Sequence, residues 1–351
     1  MSEIAESSVH ASRALRRPAI LAGLSALLGL AFILSLVTGA VPISAGDVLR
    51  ALFGFEVDGQ TAAVIQMIRL PRALLAVLVG ASLAGAGAAF QGLFRNPLAD
   101  PSLIGVSGGA ALGAVFIIVF GGLVASAVPF LASPFLLPLF AFIGGIGATF
   151  AIQGLAQSRG QAATATLLLA GIAINALTGA LTGFTVYLAN DTQIRDFTFW
   201  TMGSLASGGW HAVALTALPV TLAMGVILAR SRALDAMLLG EREALHLGVP
   251  VHRLKHIVMI AGALAVGSCV AVSGVIGFVG IVVPHVVRML AGPDHRIVLP
   301  GSVLAGAALL LAADSFARVV VAPAELPIGL VTAAIGSPFF LWLLINRKRS
   351  M

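Results

Sequence analysis

Arg69-Leu-Pro-Arg72 stands directly before an uncharged run, Ala73 to Gln91, so two guanidinium groups lie where an apolar span begins. A permanent charge is costly in hydrocarbon, and the expectation is that something outside the bilayer holds them. Asp314 precedes Arg318 by four residues and can meet it on one helix face, as a structural ion pair or as part of a site. His252 and His256 have the i, i+4 spacing of metal ligands, but no carboxylate or cysteine supports them, and they read as surface residues. Enzymatic constellations are missing. The two lysines follow Leu254 and Arg347, so no Gly-Lys of a phosphate-cradling loop exists. Gly85-Ala-Gly87-Ala-Ala-Phe90 fails the dinucleotide pattern at its last glycine and reads as a packing feature inside a span. There is no His-Glu-x-x-His and no suitably placed Gly-x-Ser-x-Gly elbow. None of Asp314, His285 or Asn175 has a plausible catalytic partner at matching depth.

The elements that position these groups follow from composition. The 351 residues are 59% hydrophobic and 10% charged, with a mean hydropathy of +1.06, which is far too apolar for a soluble domain. The fold class expected is an all-α polytopic membrane protein. A hydrocarbon core of about 30 Å takes about 20 helical residues, and apolar runs fall near 19–39, 66–92, 103–120, 135–156, 164–189, 211–229, 256–272, 275–290, 297–317 and 327–345. Ten spans put both termini on one side, with residues 1–18 and 347–351 as tails and 19–346 as a single domain. The inside segments then hold Arg13, Arg16, Arg17, Arg95, Arg159, Arg230, Arg232, Arg242, Arg253, Lys255, Arg288, Arg296, Arg347, Lys348 and Arg349. Arg50, Arg69, Arg72, Arg195 and Arg318 fall outside, a bias of the sign that the positive-inside rule requires. The pI near 10.9 therefore reads as orientation and contact with anionic lipid rather than nucleic-acid binding. Residues 19–39 are long enough to remain as a first span, so no signal cleavage is expected. Cys269 is the only cysteine, which excludes an intrachain disulfide.

Small residues carry association in lipid. Gly105, Gly109 and Gly113 recur at four-residue spacing and read as a packing seam. Gly171, Asn175, Gly179 and Gly183 form a second stripe, joined by Thr178, that fits either a seam or the wall of a passage. The longest hydrophilic interruption, 230–255, reads as two short amphipathic helices separated by Gly240 and ended by Gly248 and Pro250. It is longer than a connector needs and offers a surface for a partner.

Several motifs resemble one family: Arg69-Leu-Pro-Arg72; Phe94-Arg-Asn-Pro-Leu-Ala-Asp-Pro101 with Gly105-Val-Ser-Gly-Gly109; Leu239-Gly-Glu241 with Ala244 to Gly248; Gly277 through Pro284-His-Val-Val-Arg288; and Glu325-Leu-Pro-Ile-Gly329 through Gly336-Ser-Pro-Phe339. From about residue 20 to 346 the chain resembles the iron-siderophore, haem and cobalamin permeases of bacterial ABC importers, of type II.

The resemblance implies ten spans in the inner membrane, both termini cytoplasmic, and a homodimer around a central passage. It implies two separate ATPase subunits that hold ATP and Mg, a periplasmic binding protein, and no cofactor or metal on this chain. Docking of the binding protein is implied for Arg69, Arg72 and Arg318. ATPase coupling is implied for Leu234, Asp235, Leu239, Gly240, Glu241, Ala244, Leu247 and Gly248, and a cytoplasmic gate for Asn96, Pro97, Leu98, Thr164 and Ala165. Gly171, Asn175, Gly179 and Arg195 are the expected pathway residues. The segment Asn190 to Ser204 looks most like haem members, which makes haem the expected ligand, with ferric siderophore or cobalamin as alternatives. Arg195 could attract haem propionates or pair with Asp191 or Asp196. His211, Met202 and Tyr187 could meet the iron transiently, although each reads first as a packing or interfacial residue. An ion-coupled secondary transporter is the remote alternative, because no carboxylates mark a midplane path. Spans two to five and seven to ten would have opposite orientation, a weak internal echo.

Overall fold

A computed structural model describes residues 2–39, 41–127, 135–157 and 164–347. Arg159, Lys348 and Arg349 of the charge count, and the end of the C-terminal tail, lie outside these residues. Among the described residues there are fifteen α-helices and no strand: α1 (Ser2–Val37), α2 (Ala45–Leu52), α3 (Gly59–Ala63), α4 (Leu70–Phe94), α5 (Val106–Ala127), α6 (Leu136–Gln157), α7 (Thr164–Tyr187), α8 (Asp191–Thr201), α9 (Trp210–Leu228), α10 (Ser231–Leu239), α11 (Glu241–His246), α12 (Val251–Ser273), α13 (Val279–Ala291), α14 (His295–Val319) and α15 (Ile328–Arg347). Eight helical segments are long and apolar enough to cross a membrane, and two shorter apolar helices, Val279–Ala291 and Ile328–Leu343, stand where the remaining spans were expected. The total is near ten, as the apolar runs require. The first helix already begins at Ser2, so the expected N-terminal tail continues the span in helical form.

Buried α4 is the axis of the fold. It packs most extensively on α14 and also on α9, α12 and α13. A Cβ at Gly80 would strike the Gly306 carbonyl oxygen and one at Gly306 would strike that of Gly80, so the two backbones touch as only glycine allows. The expected seam on α5 is also present: a Cβ at Gly109 would meet the Gly144 carbonyl oxygen of α6.

Proline sets two irregularities. Pro71 cannot donate a backbone hydrogen bond and its ring crowds the preceding turn, and the residues before it widen into a π-helical turn, Val64–Arg69. Such bulges re-aim the side chains that follow, and here Arg69 closes the bulge. The eighth span is shorter than the run 275–290 suggests, because Gly274 (φ +69) and Phe278 (φ +67) hold an extended entry and the helix begins at Val279. Thirteen residues rise about 20 Å, less than a full crossing. Within α13, Pro284 cannot donate to the Gly280 carbonyl four residues earlier. Gln91 of α4 supplies the missing donor, its Nε2 lying 3.1 Å from that carbonyl oxygen. Gln91→Leu leaves the carbonyl orphaned where no water reaches it, and is expected to lower stability by about 1–3 kcal/mol. Thermal unfolding in detergent measures this, and an unchanged midpoint would refute the assignment.

Candidate functional site

The three arginines expected to face a partner converge at one end of the bundle, and all are buried: Arg69 is 4%, Arg72 8% and Arg318 9% exposed. Helix α1 ends at Val37 and leaves its last carbonyls without helical donors. Arg69 Nη1 donates to the carbonyls of Leu36 at 2.7 Å and Val37 at 2.8 Å, and Nη2 donates to that of Val41. Arg318 Nη2 donates to Ser35 at its carbonyl (3.1 Å) and hydroxyl (3.0 Å), and Nη1 to the Thr38 carbonyl at 3.2 Å. Two cations thus cap the negative end of one helix dipole.

Arg72 is held differently. Its Nε and Nη2 reach Asp314 at 3.1 and 2.9 Å, while Nη1 and Nη2 fork onto both oxygens of Glu325 at 2.9 Å. Asp314 also pairs with Arg318 at 3.1 Å, so the i, i+4 contact expected from the sequence forms. Asp314 is 1% exposed, whereas the Glu325 side chain is 39% exposed. All three arginines are held by groups of this chain at this end of the bundle, and the open edge of the cluster is Glu325. Sequence reading missed Glu325 as a site residue, although it opens the Glu325-Leu-Pro-Ile-Gly329 motif.

At the opposite end, 230–255 forms the expected helix pair, turning at Gly240 with φ +130 and closing at Gly248 with φ +83. The eight residues expected for coupling divide by environment. Leu234 and Ala244 are fully buried and anchor the knob. Leu239 (65% exposed) and Leu247 (63% exposed) project outward, and Gly248 is exposed beside them. Asp235 and Glu241 tie the knob to the spans. Asp235 Oδ1 accepts from the backbone N–H of His295 at 2.7 Å and contacts its Nδ1 at 2.8 Å, joining α10 to the start of α14. Burial pushes the Asp235 carboxyl up, but the hydrogen bonds and charge of His295 hold it below the usual range. Glu241 accepts from Thr164 and Lys255.

The expected gate residues lie close to this knob. Arg95 ends α4 in the left-handed region, φ 50, and its guanidinium stands beside Gly240. Asn96 Oδ1 accepts from the Leu98 N–H at 3.0 Å, which fixes the turn through Pro97. Thr164 opens α7, and Ala165 next to it is exposed. Lys255, His295 and Arg95 carry contacts that sequence reading did not assign. The signal available for Lys255 was rarity, since only two lysines occur.

Along α7 the stripe divides. A Cβ at Gly171 would strike the Leu103 carbonyl oxygen, and Asn175 Nδ2 donates to the Ser102 carbonyl at 3.2 Å, so these two pack against the turn before α5. Gly179 and Gly183 face open space. On α8, Arg195 is exposed and, among the described residues, makes no ion pair. Tyr187 is exposed, and His211 sits edge-on to Phe135 at 5.7 Å. The Met202 carbonyl accepts from Gly329.

Comparison with known proteins gives this geometry a context. The profile of the FecCD transport family matches residues 27–346. The chain is 48% identical over 288 residues to the hemin transport system permease protein HmuU of Yersinia pestis, covering 80% of this chain and 83% of that one. It is 42% identical over 319 residues to the cobalamin import system permease protein BtuC of Halobacterium salinarum, covering 89% and 83%. It is 40% identical over 328 residues to a vitamin B12 import system permease protein BtuC of Escherichia coli, covering 93% and 94%. A solved metal-chelate type ABC transporter in an inward-facing conformation superposes with a TM-score of 0.82 at 34% identity, covering 94% of this chain and 99% of that chain. The buried α4–α14 axis, the arginine rim and the knob belong to a permease that leaves ATP hydrolysis to a separate subunit, and the chain is a member of the FecCD transport family of ABC importers.

Proposed function

We propose that this permease moves haem from periplasm to cytoplasm across a bacterial inner membrane. The observation that carries the ligand is the 48% identity to the hemin permease of Yersinia pestis, against 42% and 40% for the cobalamin and vitamin B12 permeases. The chemistry fits. Haem is a broad apolar ring with two carboxylates, and α7 leaves Leu169, Ile172, Leu177, Leu181 and Phe184 uncovered beside Gly179 and Gly183. A smooth wall with few fixed charges lets such a ligand pass without being held, and Arg195 above it attracts the propionates.

The same uncovered face, together with the apolar groove between α14 and α15 lined by Leu309, Phe316, Leu330 and Ile335, fits a second copy of this chain, giving a homodimer whose α7 helices flank the passage. The arginine rim faces the periplasm and the knob the cytoplasm, with both termini inside, in keeping with the charge bias. The binding protein seats on the rim of Arg69, Arg72 and Arg318. Arg69 and Arg318 hold the end of α1 in place, and Arg72 holds Glu325, whose side chain is the exposed part of the rim. Two ATPase subunits grip the knob through Leu239, Leu247 and Gly248, and the gate at Asn96, Pro97, Leu98, Thr164 and Ala165 opens as their closure moves it. The steps are alternating access, with no covalent chemistry on this chain.

The test is ATP hydrolysis by the permease reconstituted in lipid with its ATPase and binding protein, supplied in turn with hemin, a ferric siderophore or cobalamin. Stimulation by hemin alone is expected. Arg72→Glu is expected to abolish stimulation and also to lower stability, since it puts a third carboxylate beside Asp314 and Glu325, so the melting curve is read beside it. Arg69→Gln, which frees the end of α1, is expected to lower stability and weaken stimulation. Stimulation by cobalamin or siderophore instead would overturn haem and keep the importer.

A further inference from the structure

We propose that Glu241 is a positioning residue that ties the coupling knob to the start of α7, so that displacement of the knob is delivered to the gate through Thr164. The inference rests on reading the knob as the ATPase contact and the start of α7 as the gate. It adds the physical link between them.

Glu241 is the first residue of α11, directly after the Gly240 turn. Its carboxylate gives one oxygen to each neighbouring element. Oε1 accepts from the Thr164 hydroxyl of α7 at 2.7 Å, and Oε2 accepts from Lys255 Nζ of α12 at 2.8 Å. The Lys255 side chain is 4% exposed, so the pair is shielded from water and salt on that side. Hydrogen bonds to ionised partners are short and strong. Burial alone would push the Glu241 carboxyl up, but the hydrogen bonds from Lys255 and Thr164, with the charges of Lys255 and Arg95, hold it below the usual carboxylate range. The group therefore remains a carboxylate at neutral pH.

The link matters because of what α7 otherwise touches. Helix α7 packs mainly on α5, α6 and the turn before α5, not on the knob helices. Body-to-knob packing belongs to α4, α12 and α14 instead. A movement of α11 therefore reaches the start of α7 through the Glu241 carboxylate more directly than through packed apolar surface. Arg95, at the end of α4 beside Gly240, places the other expected gate segment next to the same carboxylate.

The test uses the full complex of permease, ATPase and binding protein in lipid. Thr164→Val keeps the side-chain shape and removes the donor; Thr164→Ser keeps the donor. The first readout is hemin moved per ATP hydrolysed, expected to fall at least about tenfold in Thr164→Val, the low end of what a hydrogen bond to a charged group is worth, and to be retained in Thr164→Ser. Glu241→Gln, which keeps an oxygen acceptor but loses the charge, is expected to lie between them. The second readout needs no transported ligand. A cysteine introduced by Ala165→Cys, at an exposed position, is labelled with maleimide with and without ATP, the native Cys269 being buried. ATP is expected to change the labelling rate when Thr164 or Thr164→Ser is present and to leave it unchanged with Thr164→Val. An equal response to ATP in Thr164→Val, or no response with Thr164 intact, would overturn the latch. Absence of hemin movement in the parent complex would sink the haem reading alone, with the labelling readout still deciding the latch.

Discussion

Asp314→Ala is expected to cost about 3–5 kcal/mol of folding stability, the loss that follows when one partner of a buried ion pair is removed. Asp314 is 1% exposed and serves two cations at once, Arg72 through both carboxylate oxygens and Arg318 through one. Without it, Arg72 keeps Glu325 on its open side, but Arg318 loses its carboxylate while staying tied to Ser35 and Thr38. Two guanidinium groups then share a poorly solvated site with one half-exposed carboxylate between them. Arg318 can escape that repulsion only by leaving α1, which would undo the cap on that helix. Asp314→Asn keeps acceptor geometry without charge and is expected to cost less than Asp314→Ala. Thermal unfolding in detergent and in lipid gives the comparison, and a loss below about 1 kcal/mol for Asp314→Ala, the range of exposed pairs, would show that water reaches the cluster and that the burial argument fails.

The same cluster shows which parts of the architecture were legible in the sequence. The spans were, because about 20 apolar residues are needed to cross and the chain supplies them in runs broken by charge. The knob was legible because Gly240, Gly248 and Pro250 punctuate it, and these residues act locally. Asp314 with Arg318 was legible for the same reason, four residues being one helical turn. What escaped was everything that depends on distant chain segments meeting. Arg72 and Asp314 are separated by 242 positions, and nothing local says that the second will lie under the first rather than leave it facing outward. The Pro284 deficit on α13 is visible in the sequence, but its remedy on Gln91 is not. The shortened start of α13 escaped because Phe278 takes a positive φ that its residue type does not advertise. Glycine spacing was informative about packing yet could not divide α7, where Gly171 packs and Gly179 does not.

Leu239→Asp combined with Leu247→Asp is expected to abolish function while leaving the permease folded. Each leucine is about two-thirds exposed, at 65% and 63%, so neither contributes much to this chain's own core. Leu234, on the same pair of helices and 0% exposed, is the contrasting position, where a charge would dislodge the knob itself. Covering a leucine with a partner is worth about 1.5–3 kcal/mol, and placing a carboxylate there adds a desolvation cost. Two such changes lower affinity for the ATPase subunit by at least about a hundredfold, since each 1.4 kcal/mol is a factor of ten. The unfolding temperature is expected to stay within a few degrees of the parent, because neither side chain packs inside the permease. Binding of the purified ATPase subunit to the immobilised permease, measured beside its melting curve, separates the outcomes. Lost binding with an unchanged melting curve supports the outward leucines as the grip. Retained binding would move the contact elsewhere on the knob, and lost binding with a collapsed melting curve would show that these leucines are part of the fold after all.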